Sequence, residues 1–369
     1  MKIIISGGGT GGHIYPALAI AEELRKMSQE TNIIYVGTEG SLEQELAVKA
    51  GYDFRAIRVK GMPRKLDKRS FIAAWNLILG ILDSRKLIKL EKPDLVVGTG
   101  GYVSGPVAFV AGLMKIPVVI HEQNAYPGLT NKLLSRVADK VLITYPDSAT
   151  YFKHPERTVA TGNPIRKDIK SMDRDTAIYE MGIDPDKKFI LSFGGSGGQK
   201  SLNRSIMEII EEGQLPEGII LMHITGSRHF EPFMKELSEK GITLPENIEI
   251  VEYCHKMPVA LNAADLVITS GGAITLAELS AVGLPSILIP KAYTAENHQE
   301  YNARAVEKSG AAVVILERDI NGRVLLEEVN KLLIDGELLC QMSVNSSKLG
   351  NPDASKAMIR ELGQWINPT

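Results

Sequence analysis

Short apolar, β-branched runs alternate along this chain with longer stretches of helical periodicity. In the first half the runs fall at 2–6, 32–36, 54–59, 94–98, 117–121, 139–144 and 157–161. In the second half they fall at 188–193, 218–224, 248–251, 265–269, 285–289 and 312–316. Between them lie helical patterns such as PALAIAEELRKM (16–27) and LNRSIMEIIEEG (202–213). Strands that alternate with helices of this length predict parallel sheets joined by right-handed crossovers.

The two halves rhyme. Each opens with an apolar strand that runs into a glycine loop and then a helix, IIISGGGTGGH in one and ILSFGGSGGQKS in the other. That predicts two doubly wound α/β domains facing each other, 1–165 and 166–351, joined near TGNPIRKDI (161–169). The tail NPDASKAMIRELGQWI (351–366) reads as a capped amphipathic helix, and the segment 352–369 is expected to pack back on the first domain.

A length of 369 residues also suits two domains better than one. The net charge of -2 offers no global attraction for nucleic acid, so no nucleic-acid partner is expected. Cys254 and Cys340, with no C-x-x-C or zinc spacing, fit a reducing compartment rather than a disulfide framework. MKIII is too short for the core of a signal peptide, which points to the cytoplasm. Residues 95–114 carry no charge, but Gly98, Gly100, Gly101, Gly105, Pro106 and Gly112 make them a strand–loop–helix unit rather than a membrane span.

Ligands of open α/β sheets bind beyond the carboxyl ends of the strands, and the unusual residues fall there. They are GGGTGGH (7–13), GTGGYVSG (98–105), HEQN (121–124), GGSGG (194–198), TSGGAITLAE (269–278) and PKAYTAENHQ (290–299). Glycine lets amides approach a diphosphate, and the helix that follows adds partial positive charge. One such loop is as readily a tight packing turn; several at corresponding strand ends favour a large phosphorylated ligand in an interdomain cleft. Gly7, Gly9 and Gly12 satisfy the dinucleotide fingerprint, but the acidic partner it needs at the end of strand 2 is misplaced, Glu39 following Gly37 and Thr38. A dehydrogenase is therefore the weaker reading.

His13 stands at a helix start, where the dipole disfavours imidazolium and keeps a neutral ring available as a base; a capping or packing histidine is the plainer alternative. Glu278 follows GGAIT by one to two turns and can accept both hydroxyls of a ribose, or be a solvated helix glutamate. Arg166 can reach a diphosphate, or be a surface charge. The D-x-D pairs Asp173/Asp175 and Asp184/Asp186 lie away from strand ends and read as solvated charges, so no metal is expected. Within 60–92, an apolar segment (Phe71, Ile72, Trp75, Leu77, Ile78, Leu79, Ile81, Leu82) is flanked by basic residues, Arg64, Lys65, Lys68 and Arg69 among them. It suits either contact with an anionic lipid surface or a core helix with charged ends.

ISGGGTGGHIYPALAIA, GGYVSGPV, HEQNAYPGLTNKLL, TGNPIR, GGSGG, GAITLAE and NHQEYNA occur in the order and spacing of the MurG-type glycosyltransferases, which the whole chain resembles. The resemblance implies the glycosyltransferase-B architecture of two Rossmann-like domains. It implies transfer of N-acetylglucosamine (GlcNAc) from UDP-GlcNAc to the 4-hydroxyl of the undecaprenyl-diphosphate-linked muramoyl-pentapeptide of peptidoglycan synthesis, with inversion. It also implies a peripheral place on the cytoplasmic face of the membrane and no cofactor. Thr10, Gly11 and Gly12 would then lie at the donor diphosphate and sugar, Asn124 at the sugar, and Arg166 and Ser196 at the diphosphate. Glu278 would take the ribose, with Ala273 heading the same helix, Gln299 the GlcNAc hydroxyls, and the segment around Tyr253 and Cys254 the uracil. His13 would be the base. Ser270 stands where the family commonly has Arg, Gly197 where it has Gln or Leu, and Cys254 where it has an aliphatic residue. The first departure raises the burden on Arg166. Rival readings are a UDP-GlcNAc 2-epimerase and a non-catalytic sugar-nucleotide sensor.

Overall fold

Each apolar run becomes a strand in the computed structural model, which describes all residues except 29, 64–67, 171, 196, 214, 217 and 367–369; the side chains of 68, 69, 170 and 295 also lie outside the description. The chain divides into two compact units, Met1–Ile165 together with the tail from Asp353, and Arg166–Pro352.

The first unit runs β1 (Lys2–Ser6), α1 (Gly11–Met27), β2 (Asn32–Gly37), α2 (Leu42–Lys49), β3 (Asp53–Ala56), α3 (Lys68–Glu91), β4 (Leu95–Gly98), α4 (Gly101–Leu113), β5 (Val118–Glu122), α5 (Leu129–Leu134), β6 (Lys140–Ile143) and β7 (Thr158–Ala160). Its strands are parallel in the order β3-β2-β1-β4-β5-β6-β7. The second unit runs α6 (Arg174–Met181), β8 (Lys188–Phe193), α7 (Lys200–Glu212), β9 (Ile219–Ile224), α8 (Phe230–Glu239), β10 (Ile248–Val251), α9 (Met257–Ala263), β11 (Leu266–Thr269), α10 (Ala273–Val282), β12 (Ser286–Leu288), α11 (His298–Lys308), β13 (Ala312–Val314), α12 (Gly322–Ile334) and α13 (Gly336–Leu349). Its parallel order is β10-β9-β8-β11-β12-β13. The tail forms α14 (Ala354–Ile366).

Successive side chains of a strand point to opposite faces, so a parallel sheet covered on both sides needs apolar residues at every position. On β1, Ile4 joins a core with Val36, Val96, Val107 and Ile120, while Ile3 and Ile5 join Ala17, Ile20, Leu24 and Tyr35 on the other face. Met358, Ile359 and Leu362 of α14 belong to that second layer, and Lys140 bonds Glu361 at 2.7 Å beside it. The uncharged run 95–114 is β4, a short loop and α4. Among the described residues no helix is long and apolar enough to cross a membrane.

Strand order reverses direction between β1 and β4 in the first unit, and between β8 and β11 in the second. Helices leave the sheet on opposite faces at such a point, opening a crevice at the strands' carboxyl ends.

Candidate functional site

The loops after β1 and β4 meet at the first reversal. Gly101 has φ +78, and a Cβ there would run into the carbonyl of Gly8, so only glycine allows this approach. At the second reversal the loop after β11 lies equally tight against the backbone of Gln299, and Ser270 lies beside Gly195. The helices leaving these loops begin at Thr10, Gly100, Gln199 and Gly272, none of which bonds its side chain to the amides of the first turn. Elsewhere Ser41, Asp173, Asn321 and Asp335 cap α2, α6, α12 and α13; α5, α8, α9 and α11 lack side-chain caps but start at neither reversal. Uncapped amides with an aligned dipole form an anion-binding surface.

Thr10 and Gly12 are exposed and Gly11 half-buried at the head of α1. His13 follows one residue later. Its Nδ1 lies 3.1 Å from the Thr99 carbonyl and 3.2 Å from Gln123 Oε1. Both can only accept, so Nδ1 carries the hydrogen and Nε2 carries the lone pair. Thr99 Oγ1 in turn donates to the His13 carbonyl at 2.7 Å.

HEQN spans the end of β5. Glu122 is buried, and its carboxylate accepts from the backbone and side-chain nitrogens of Asn124 at 2.9 and 3.0 Å, from Gly128 N–H at 3.1 Å and from Asn131 Nδ2 at 2.9 Å. It thereby shapes the loop that presents Asn124. Glu43 of α2, also buried, accepts from Thr38 Oγ1 at 2.7 Å and reaches the Gly9 amide at 3.5 Å, bracing the glycine loop from beneath.

In the second unit Arg166 and Glu278 form a two-pronged pair, Nε to Oε1 at 2.8 Å and Nη2 to Oε2 at 3.2 Å. Burial lifts the Glu278 carboxyl above its usual range, with Arg166 opposing. Burial alone would lower the pKa of Arg166, but the bond to Glu278 and its charge outweigh that and raise it. A fold that holds a carboxylate where burial disfavours its charge marks a candidate functional position. The Arg166 guanidinium takes one acceptor position on each carboxylate oxygen and the Arg166 backbone also bonds the carboxylate, which leaves an acceptor position for a hydroxyl. Gln299, near the start of α11, accepts from Lys291 N–H at 3.0 Å through Oε1. It follows Glu296 and Asn297, both in the left-handed region at φ 49 and 55, a strained approach for residues with side chains. Cys254 is buried and its thiol is pushed up by that burial; the exposed Tyr253 beside it meets His255 edge-on at 5.0 Å. Ala273 opens α10. Ser196 lies outside the described residues.

Asp173 caps α6 through the Thr176 amide, and Asp184 accepts from the Asp186 amide at 3.0 Å, so both D-x-D segments serve local turns. On α3 the apolar stripe faces outward: Phe71, Ile72, Trp75, Ile78 and Leu82 are all more than half or about half exposed. The opposite face, with Ala73, Gly80, Ser84 and Ile88, is the buried one. Arg85, Lys86 and Lys89 are exposed at its end, while Arg64 and Lys65 and the side chains of Lys68 and Arg69 lie outside the description. Sequence reasoning missed the internal roles of Thr99, Glu43, Glu122, His121 and Gln123. Polar residues at the end of the apolar strand β5 and directly after it were the available signal for the last three.

The family model described as "Glycosyltransferase family 28 N-terminal domain" matches residues 3–143, and that described as "Glycosyltransferase family 28 C-terminal domain" matches residues 189–358. The chain is 45% identical over 368 residues, 99% of its length and 98% of the relative's, to the UDP-N-acetylglucosamine--N-acetylmuramyl-(pentapeptide) pyrophosphoryl-undecaprenol N-acetylglucosamine transferase of Finegoldia magna. Among solved structures it is similar to Acinetobacter baumannii MurG, with TM-score 0.78 and 26% identity over 98% of this chain and 99% of that one. The UDP-GlcNAc 2-epimerase of Neisseria meningitidis bound to UDP-GlcNAc has TM-score 0.68 at 16% identity, covering 98% of this chain and 99% of that one, a likeness of fold alone.

Proposed function

The chain belongs to glycosyltransferase family 28, with the N-acetylglucosamine transferases that complete the lipid-linked disaccharide of peptidoglycan, and from that premise we propose how its residues carry the reaction. It is a hexosyltransferase that moves GlcNAc from UDP-GlcNAc to the lipid-linked muramoyl-pentapeptide, lipid I to lipid II. The identity of 45% along nearly the whole chain carries this reading.

The division of labour follows from the two units. The second holds the donor: Glu278 accepts the ribose hydroxyls, and Arg166 and the amides heading α7 and α10 meet the diphosphate. Ala273 heads α10 on that same surface, Ser196 is assigned to the diphosphate from the sequence resemblance alone, Gln299 takes the GlcNAc hydroxyls, and the backbone near Cys254 takes the uracil. The first holds the acceptor and carries His13; Thr10, Gly11 and Gly12 at the head of α1 are assigned to the donor diphosphate and sugar, and Asn124 to the sugar. The acceptor 4-hydroxyl gives its proton to His13 Nε2 as its oxygen bonds to the anomeric carbon. The bond from that carbon to the diphosphate oxygen breaks, and its electron pair leaves with UDP. In-line attack inverts the α-linked donor to a β-1,4 product. Fixed amides and Arg166 oppose the charge that develops on the leaving group, where preorganised dipoles act most strongly.

The apolar face of α3 and the basic residues at its end support a peripheral position on the cytoplasmic face of the membrane, with the lipid acceptor. The test is incubation with UDP-GlcNAc, with and without a short-chain analogue of the lipid acceptor. UDP release that requires the acceptor, with a β-linked disaccharide formed, is expected. Formation of UDP-ManNAc from the donor alone would instead identify an epimerase.

A further inference from the structure

Resting on the reading of His13 as base, we infer that Gln123 and His121 are positioning residues, which together fix the nitrogen of His13 that receives the proton. His121 is fully buried, and its Nε2 lies 3.1 Å from the carbonyl of Gly162. A carbonyl only accepts, so that nitrogen carries hydrogen. Burial drives the pKa of His121 down to about 4, so the ring is neutral and its Nδ1 can only accept. The group facing Nδ1 at 3.1 Å must then be the amino group of Gln123, which also donates to the Thr99 carbonyl at 2.7 Å. With its nitrogen so engaged, Gln123 turns Oε1 toward His13 Nδ1, where it joins the Thr99 carbonyl as a second acceptor. A backbone carbonyl 41 residues from His121 in sequence thus acts, through two side chains and together with the Thr99 carbonyl, on the tautomer of a third.

The chemistry of this arrangement differs from a carboxylate–histidine pair. When Nε2 takes a proton, the Nδ1 hydrogen stays between two neutral oxygens. They hold the ring in place and raise its basicity less than a carboxylate would, which suits a base that must also release its proton. The titratable neighbours are His121 on β5, on which charge at His13 acts to keep the ring neutral, and Glu43 on α2, which bonds the Gly9 amide across the loop. Glu122 on β5 is turned to Asn124, Gly128 and Asn131 instead.

Long-range proton–nitrogen correlation of the full chain, labelled with ¹⁵N-histidine and free of substrate, reads the tautomers directly; His13→Gln assigns the His13 signals. The expected result at neutral pH is hydrogen on Nδ1 of His13 and on Nε2 of His121. Gln123→Met keeps the volume but removes the amide. It should give mixed His13 tautomers and lower kcat by roughly 10–100-fold, with KM for UDP-GlcNAc changed by less than about twofold. His13 bearing its hydrogen on Nε2 in the unaltered protein would overturn the inference, whether or not any variant folds. So would a Gln123→Met protein with unchanged tautomer and kcat. The expected tautomers in a protein that transfers no sugar would support the relay while removing His13's role as base.

Discussion

At the scale of residues, the proposed proton acceptor and the groups proposed to hold the donor are separable. His13 makes its ring contacts to Thr99 and Gln123, whereas Arg166 and Glu278 bond each other in the second unit. Replacing His13 with Ala should therefore lower kcat by about 10²–10⁴ while leaving UDP affinity intact, as measured by acceptor-dependent UDP release and calorimetry. Loss of UDP binding in that variant would place His13 in the donor site instead. Residues of this kind were legible because reactive side chains at strand ends have few structural reasons to be there. Gln123 was not. It follows His121 and Glu122 in HEQN, and which of these points inward, and toward what, depends on the register of β5 against β4 and β6. The pairing of Arg166 with Glu278 was likewise invisible, since 112 residues separate them in sequence.

At the scale of elements, the apolar runs located every strand because a sheet covered on both faces leaves little room for polar alternation. Helix α3 shows where such reading stops. It is apolar on both sides, and the sequence left open whether the stripe of Phe71, Trp75, Ile78 and Leu82 was core or surface. The choice is made by close packing on the other side, where a Cβ on Gly80 would press on the Arg58 carbonyl and the ring of Pro106. The stripe that faces out includes Phe71 at 80% and Trp75 at 61% exposure. Side chains so exposed contribute little to folding. Phe71→Ser with Trp75→Ser should change Tm by no more than about 1–2 °C yet abolish sedimentation with vesicles containing anionic lipid. Retained vesicle binding would remove α3 from the membrane surface.

At the scale of the whole molecule, each unit buries one neutral histidine at the heart of its sheet. His121 has its pKa lowered to about 4 and His223 to about 3, in both cases by burial. His223 lies between Ser192 Oγ and Asn203 Oδ1, at 3.0 and 3.2 Å. Unfolding releases each ring to its ordinary pKa near 6.5, so the unfolded chain binds more protons below that pH. The contribution is complete above about pH 6.5 and falls as pH drops toward the folded values, by roughly 2–3 kcal/mol for each histidine at pH 4.5. Calorimetric unfolding near pH 5.5, in buffers of different ionisation enthalpy, should show uptake of about two protons from these groups. Uptake near zero would mean that both rings are already charged in the folded state.

The tail helix has a consequence for how the protein is made. Domains usually fold in the order in which they leave the ribosome. Here the layer formed by Ile3, Ile5, Ala17, Ile20 and Leu24 is completed by Met358, Ile359 and Leu362, with all of the second unit encoded between. The second unit is continuous and can close as soon as its own residues emerge. The first unit, synthesised earlier, must keep that apolar layer uncovered through the synthesis of nearly two hundred further residues. The unit that begins the chain is the last to finish folding, and its exposed face is the one a nascent-chain chaperone would have to shield.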